Sequence, residues 1–511
     1  MSEDRQISLI ARPWFRVFAL CGAAELLSYL TWFVPVLALP TLLLISVVAL
    51  ILALRDPRLG FLILLAEAVI GSHGHLVTVG PVSLRMVLFA AAIIGWVVSW
   101  WRVEAGPVAG SDDSPPARNR VAIRLTKILS VPLFWPLVAV AVAVLWGVAR
   151  GLMLGHGLGA VVGDANAYAF ILAVPMAFDL FRRSEDREHL KAVLIGSVLW
   201  LAVASVALLY LFSHDFNVWL VDLYQWQRHF LLSEVTRLGE TAWNRVFAAS
   251  DLFLIPALAL GVFRFWSGGW KTRLWSMILA AALLLSFSRS FWLGLLAGAI
   301  VLAVLLARRR ALPFSRLKSL ALAALAVLVL GAALLAALTF LPWPASRGGV
   351  DLSAFSSRFT VSDAAVSSRW NLLPVLYEGI KAHPFGGSGF GATVTYRTDD
   401  PRLISLSPGG VITTGAIEWQ YLEIWLKLGL PGLLALGWLI VAALRLFWRG
   451  SSRDQNDGLD VPAAVFLSFV AFVVLNIFTP YWNHPLGWMY LALLSPFLVV
   501  PESSRPASDA R

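Results

Sequence analysis

The residues best suited to chemistry in this chain are arginines outside its basic loops. Arg289 sits in Ser286-Phe287-Ser288-Arg289-Ser290, between two apolar stretches with almost no loop between them. A guanidinium held there is costly unless it faces protein, water or an anion. With so little loop to carry it, an anion contact is the reading favoured for Arg289. Arg85 and Arg150 stand at the ends of other apolar stretches, where anion binding and a side chain snorkelling to the interface account for them equally. Arg228 lies among Trp219, Tyr224, Trp226 and His229 in a loop that ends with Arg245.

Arg369 opens a second chemical stretch. Leu372, Leu373, Leu376 and Ile380 follow it at the spacing of one helical face. Ser367 or Ser368 is predicted to cap that helix and Pro384 to follow its end. Then comes His383-Pro384-Phe385-Gly386-Gly387-Ser388-Gly389-Phe390-Gly391, a tight turn or, on a sharper reading, a phosphate cradle, although no Walker lysine or Rossmann context follows it. Further on, Glu418 and Tyr421 lie in an aromatic segment whose Glu423 and Lys427 are spaced to pair. Glu25, Glu67, Asp164 and Asp251 are the few acids inside apolar stretches, read as partners for outer arginines. The eight histidines form no metal-ligand pattern: His73 and His75 share a turn, and His383, His484 and His229 are candidates only to line a site. Neither a metal nor a cofactor is expected.

These residues must be positioned by membrane helices. Of 511 residues, 59% are hydrophobic and 14% charged, against roughly a quarter charged in soluble domains. Fourteen apolar stretches approach the length that crosses a bilayer as a helix. The first two run together around Pro35, so the expected fold is all-α and polytopic, with twelve to fourteen spans and a large periplasmic loop carrying short helices. A soluble enzyme and a disordered chain are excluded. The single cysteine, Cys21, excludes an intramolecular disulfide. With the N-terminus in the cytoplasm, every loop on that side is basic, which accounts for most of the 40 Lys and Arg behind the net charge of +10. Both termini are then cytoplasmic, no cleavable signal peptide is seen, and the charge is not a nucleic-acid footprint. Three parts are expected: a bundle over 1–341, with a cytoplasmic linker at 102–130 and a periplasmic loop at 214–245; a periplasmic loop over 342–429 bearing the site; and three spans with a tail over 430–511.

Taken together, the Ser288-Arg289-Ser290 turn, the stretch from Arg369 to Gly391 and the segment from Glu418 to Gly429-Leu430-Pro431-Gly432 resemble the O-antigen ligase/polymerase superfamily of bacterial envelope glycan assembly. The likeness is confined to about Ser286–Gly432; the N-terminal half is similar only in its pattern of spans. The resemblance implies a metal-independent inner-membrane glycosyltransferase. Its donor would be a glycan on undecaprenyl pyrophosphate, and its acceptor another glycan or lipid A core. Membrane lipid and a chain-length regulator would be further partners. It makes Arg289 and Arg369 clamps on the pyrophosphate, with Arg150, Arg85, His383, Tyr421 and Arg228 as candidate substrate contacts. Ligases of the superfamily carry His-Asn eleven residues before the first Gly of Gly-Leu-Pro-Gly; here Glu418-Trp419 stands there. Glu418 is thus a candidate general base or simply a partner for an arginine, and the exchange favours a polymerase. A ligase or protein O-oligosaccharyltransferase is the alternative. A lipid-linked glycan flippase is another, although no internal repeat of the kind transporters show is evident.

Overall fold

A computed structural model of the chain describes residues 13–101, 126, 129, 131–216, 219–237, 243–308, 314–346, 364–398, 404, 407, 409–453 and 460–498. Most of the linker at 102–130, the C-terminal tail, and Arg347, Arg358 and Arg402 lie outside the described residues.

The chain runs α1 (Pro13–Phe33), α2 (Ala38–Arg55), α3 (Pro57–Ile70), β1 (Thr78–Val79), β2 (Val82–Ser83), α4 (Leu84–Ser99), α5 (Phe134–Met153), α6 (Leu158–Ala165), α7 (Ala173–Leu180), α8 (Ser184–Ser213) and α9 (Leu220–His229). It continues through β3 (Glu234–Arg237), β4 (Asn244–Phe247), α10 (Leu254–Phe263), α11 (Trp270–Leu285), α12 (Arg289–Arg308), α13 (Phe314–Phe340) and α14 (Ala364–Ala382). It ends with β5 (Val394–Arg397), β6 (Val411–Thr414), α15 (Gln420–Arg453), α16 (Asp460–Leu475) and α17 (Pro485–Leu494). The fold is an all-α, polytopic membrane bundle, with three small antiparallel hairpins among the described residues, β1–β2, β3–β4 and β5–β6.

Seven helical segments among the described residues are long and apolar enough to cross a membrane: Pro35–Arg55, Phe134–Met153, Leu158–Leu180, Ser184–Ser213, Arg289–Arg308, Phe314–Phe340 and Gln420–Arg449. The other seven expected spans are present as shorter or less apolar helices. The difference follows from packing. α2 and α13 turn apolar side chains such as Leu43, Leu44, Val47, Leu325 and Val329 outward, as lipid-facing helices do. α16 and α17 sit in the middle, with Phe472, Trp482, Trp488 and Tyr490 fully buried. Helices enclosed by protein can be short or broken, because neighbours satisfy their backbone. The stretch expected as Gly163–Phe181 accordingly passes through a 3-10 segment, Asn166–Leu172, between α6 and α7. The stretch expected as Val246–Phe265 begins instead as strand β4 and a 3-10 turn before α10.

Local signals set several helix starts. The Asp56 carboxylate accepts from the Arg58 amide at 3.0 Å, with Pro57 in the first turn of α3. His484 Nδ1 accepts from the Leu486 amide at 3.2 Å, with Pro485 beginning α17. α14 departs from expectation: it begins at Ala364, before both serines predicted to cap it, and runs through Pro374. Its apolar face is as read, with Leu372, Leu376 and Ile380 buried.

The bundle has two chemically different ends. At one, Arg58 contacts Asp186 at 2.5 Å, and Arg316 and Arg264 reach Asp460 at 3.6 and 3.9 Å. At the other lie the hairpins, α9, α14 and the loops before α15 and α17. Here the two long loops meet: His214 bridges to Ser346, and the Asp215 amide donates to the Ala345 carbonyl at 3.1 Å.

Candidate functional site

Arg369 and Glu418 form an ion pair, with the guanidinium Nε donating to the carboxylate. Each belongs to a different element. Arg369 rides on α14, whose buried face packs on β5 and α15. Glu418 sits between β6 and the start of α15. A second bond fixes their relation, as the Trp419 indole N–H donates to the Arg369 carbonyl at 3.0 Å. The Glu418 side chain remains 52% exposed and that of Arg369 33%, so both are accessible to a ligand.

Arg289 is the first residue of α12, half-buried. The preceding Phe287 has φ +46°, a left-handed conformation rare for a large side chain. That turn reverses the chain between α11 and α12 and leaves Ser288 and Ser290 hydroxyls 3.0 Å apart. Ser290 in turn contacts the Thr479 hydroxyl at 2.8 Å. Thr479 follows Phe478, whose ring lies 5.4 Å from that of Trp419. The loop after α16 therefore connects the Arg289 turn to the Arg369–Glu418 pair. Close helix packing makes this contact feasible. Gly294 and Gly298 of α12 press against the Ala471 and Leu467 carbonyls of α16, and a Cβ at either would come within 2.7 Å of those oxygens. This is the small-residue packing of membrane helices.

The glycine run is a clip, not a phosphate cradle. Its amides are occupied in order: Gly387 donates to the His383 carbonyl (3.0 Å), Ser388 to Leu426 (2.7 Å), Gly389 to Lys427 (3.0 Å) and Phe390 to Gly147 (2.9 Å). The Gly391 amide donates to Asp164 Oδ2 at 2.7 Å. Gly387, Gly389 and Gly391 all have positive φ, and Gly147 and Gly151 of α5 leave room for the Phe390 backbone and ring. The run thus docks the end of α14 onto α5 and α15. α15 itself bends at Gly429, where φ is +71°.

The remaining candidates separate. Arg150 reaches the clip, its Nε 3.3 Å from the Gly387 carbonyl. His383 is exposed at the end of α14. Arg228 is exposed on α9. Tyr421 points into the bundle, its hydroxyl donating to the Val473 carbonyl at 2.7 Å. Arg85 is buried against Glu67 at 2.7 Å and also donates to the Ser72 carbonyl at 2.7 Å, which matches the partner role read for Glu67. His73 and His75 share their turn as read, and His73 also meets His484, ring nitrogen to ring nitrogen, at 3.3 Å. A further cation, outside the candidates that the sequence offers, stands beside the Arg289 turn: Arg245 of β4 donates from Nε to the Ser286 carbonyl at 2.8 Å. Its place among the outer arginines was the available signal, but nothing in the sequence pairs it with residue 286.

The bundle is that of a multi-pass membrane protein, and the Arg369–Glu418 pair lies among the loops and hairpins at one of its ends. Residues 274–437, about a third of the chain, match the family model for O-antigen ligase; this stretch contains Arg289, Arg369 and Glu418, and the match supports the O-antigen ligase/polymerase superfamily. Curated proteins offer no match to the chain. The match supports a membrane glycosyltransferase of the O-antigen ligase/polymerase type.

Proposed function

We propose that the protein is a glycan polymerase that joins lipid-pyrophosphate-linked repeat units at the outer face of a bacterial inner membrane, with both termini in the cytoplasm. The observation that carries this reading is the exposed Arg369–Glu418 pair, a cation and a base at one point of the superfamily-matched segment. The acceptor hydroxyl gives its proton to the Glu418 carboxylate as its oxygen bonds to the anomeric carbon of the donor. The bond from that carbon to the pyrophosphate oxygen breaks, and the lipid pyrophosphate leaves with the bonding electrons. Arg289 and Arg369 meet the growing negative charge, the electrostatic contribution such reactions most need. Before the donor arrives, Arg369 holds the carboxylate; the pyrophosphate competes for that guanidinium and releases the base. An open apolar groove of about 670 Å³ between α5 and α15, bordered by Trp146, Phe385 and Gly386, suits the lipid chain of such a donor.

The test is incubation of the purified protein with undecaprenyl-pyrophosphate oligosaccharide. Products of two or more units are expected. Glu418→Gln should lower turnover roughly 10²–10⁴-fold, the usual loss of a general base, and Arg289→Ala and Arg369→Ala should abolish elongation in protein that still inserts. Normal long products from both arginine variants would overturn the reading. The family model's own description favours a ligase as the second reading: transfer to lipid A core without elongation would establish it. Movement of the lipid across a vesicle without joining would indicate a flippase.

A further inference from the structure

Lys427 lies on α15, two residues before the bend at Gly429, and its side chain is 4% exposed. Its ammonium has three donors and all three are occupied. Nζ donates to Asp164 Oδ1 at 2.9 Å, to Glu423 Oε1 at 2.8 Å and to the Gly415 carbonyl at 2.8 Å. The i,i+4 contact with Glu423 is the one visible in the sequence. The other two join parts of the chain far apart in number.

Each arm ends on a support of the candidate site. Gly415 is three residues before Glu418, in the short segment between β6 and α15. Asp164 accepts the Gly391 amide with its second oxygen at 2.7 Å, and so holds the glycine clip that ends the Arg369 helix. Glu423 accepts the Asn483 side-chain amide with its second oxygen at 2.8 Å. Asn483 belongs to the loop whose Thr479 contacts Ser290, next to Arg289. One buried cation therefore touches, directly or through one carboxylate, the segments that carry Glu418, Arg369 and the partner of the Arg289 turn. A lysine serving α15 alone would be met by Glu423 and solvent. Burying it with two carboxylates is costly, and the arrangement is explained by what those carboxylates hold.

We propose that Lys427 is the positioning residue of the site: its ammonium binds the Glu418 segment, the glycine clip and the 476–484 loop into one unit, without itself touching substrate. This rests on the glycosyl-transfer reading above.

The experiment uses the full chain, purified, with two variants. Lys427→Met combined with Glu423→Gln and Asp164→Asn removes all three charges together, so no unpaired charge is left buried. Asn483→Leu cuts only the arm to the 476–484 loop and leaves Lys427 paired. Backbone hydrogen exchange is the first readout. In the neutral triple variant, amides in 387–391, 415–419 and 476–484 should exchange on the order of tenfold faster or more, while α12 and α16 are unchanged; opening free energies differ between such units. In Asn483→Leu only 476–484 should change. The second readout is transfer from undecaprenyl-pyrophosphate oligosaccharide. The triple variant should lose about 10²-fold in kcat, the effect of misplacing groups by an ångström, with donor KM held, the mark of an interaction that matters only in the transition state. Unchanged exchange in the three segments, or retained kcat in inserted protein, overturns the proposal. Were the unmodified protein to transfer nothing, the functional reading would fail, and the exchange pattern alone would still decide whether Lys427 unites the segments.

Discussion

Arg85 and Arg369 show how little a residue type says until its neighbours are known. Both are arginines placed by sequence at the outer end of the bundle. Arg85 lies 3% exposed against a Glu67 side chain that is 4% exposed, while Arg369 shares a partly open surface with Glu418. Breaking a buried pair leaves an uncompensated charge and costs roughly 3–5 kcal/mol. Arg85→Met should therefore sharply lower thermal stability and the yield of inserted protein, and Arg85→Met with Glu67→Met should recover most of both. Thermal unfolding in detergent measures this; a single variant as stable as the unmodified protein would exclude a structural pairing. Two histidines in the turns outside the spans sit in a more open setting, His73 exposed and His484 half-buried. Partial loss of solvent around the ring, with Arg85 and His75 adding to the effect, pushes His73 down to about 4 although the residue keeps an exposed face. Burial, then His73, Arg85 and His75, holds His484 well below its ordinary value. In the unfolded chain both would protonate near pH 6.5. The unfolded state then binds more protons below that value, so stability is full above about pH 6.5 and is lost as pH falls towards about 4. Unfolding temperatures recorded between these limits should decline, and His73→Gln with His484→Gln should flatten the decline.

At the scale of elements, the site depends on two close approaches that glycine permits. The clip of Gly387, Gly389 and Gly391 docks the end of α14, and the Gly294/Gly298 seam sets α12 on α16. The second is the cleaner to test, because it lies away from every proposed substrate contact. Gly298→Leu should force the helices apart, since even a Cβ would lie 2.7 Å from the Leu467 carbonyl, and overpacking of this kind costs about 1–3 kcal/mol. The expected outcome is a lower unfolding temperature together with loss of transfer, through displacement of Ser290 from Thr479. Gly437, around which a Cβ meets nothing within 4 Å, provides the control: Gly437→Leu should leave both unchanged.

For the whole molecule, the two ends differ in chemistry. Basic loops and their aspartates gather at one end, hairpins and the candidate site at the other. If the polytopic arrangement is as proposed, cysteines placed at the two ends must label from opposite sides of a sealed vesicle. With Cys21→Ser as background, Glu188→Cys, where the native side chain is 69% exposed, should react only from the cytoplasmic side. Tyr377→Cys, where the tyrosine is 65% exposed, should react only from the outer side. Labelling of both from one side would refute the topology.

Much of this architecture is legible in the residue order. Membrane helices announce themselves through long apolar runs, because the bilayer demands a length and a composition that no other setting requires. The apolar face of α14, the bend at Gly429 and the Glu423–Lys427 contact are local, since spacing along one helix determines which side chains meet. What only the tertiary structure decided is everything that joins distant parts of the chain. Glu67 with Arg85, Arg245 with Ser286, Lys427 with Asp164, and Arg369 with Glu418 depend on how helices pack, and a dense set of similar apolar spans carries few marks of which will be neighbours. The same reason explains why short helices such as α16 and α17 lie at the centre: apolar composition shows that a segment leaves water, but not whether it leaves for lipid or for protein.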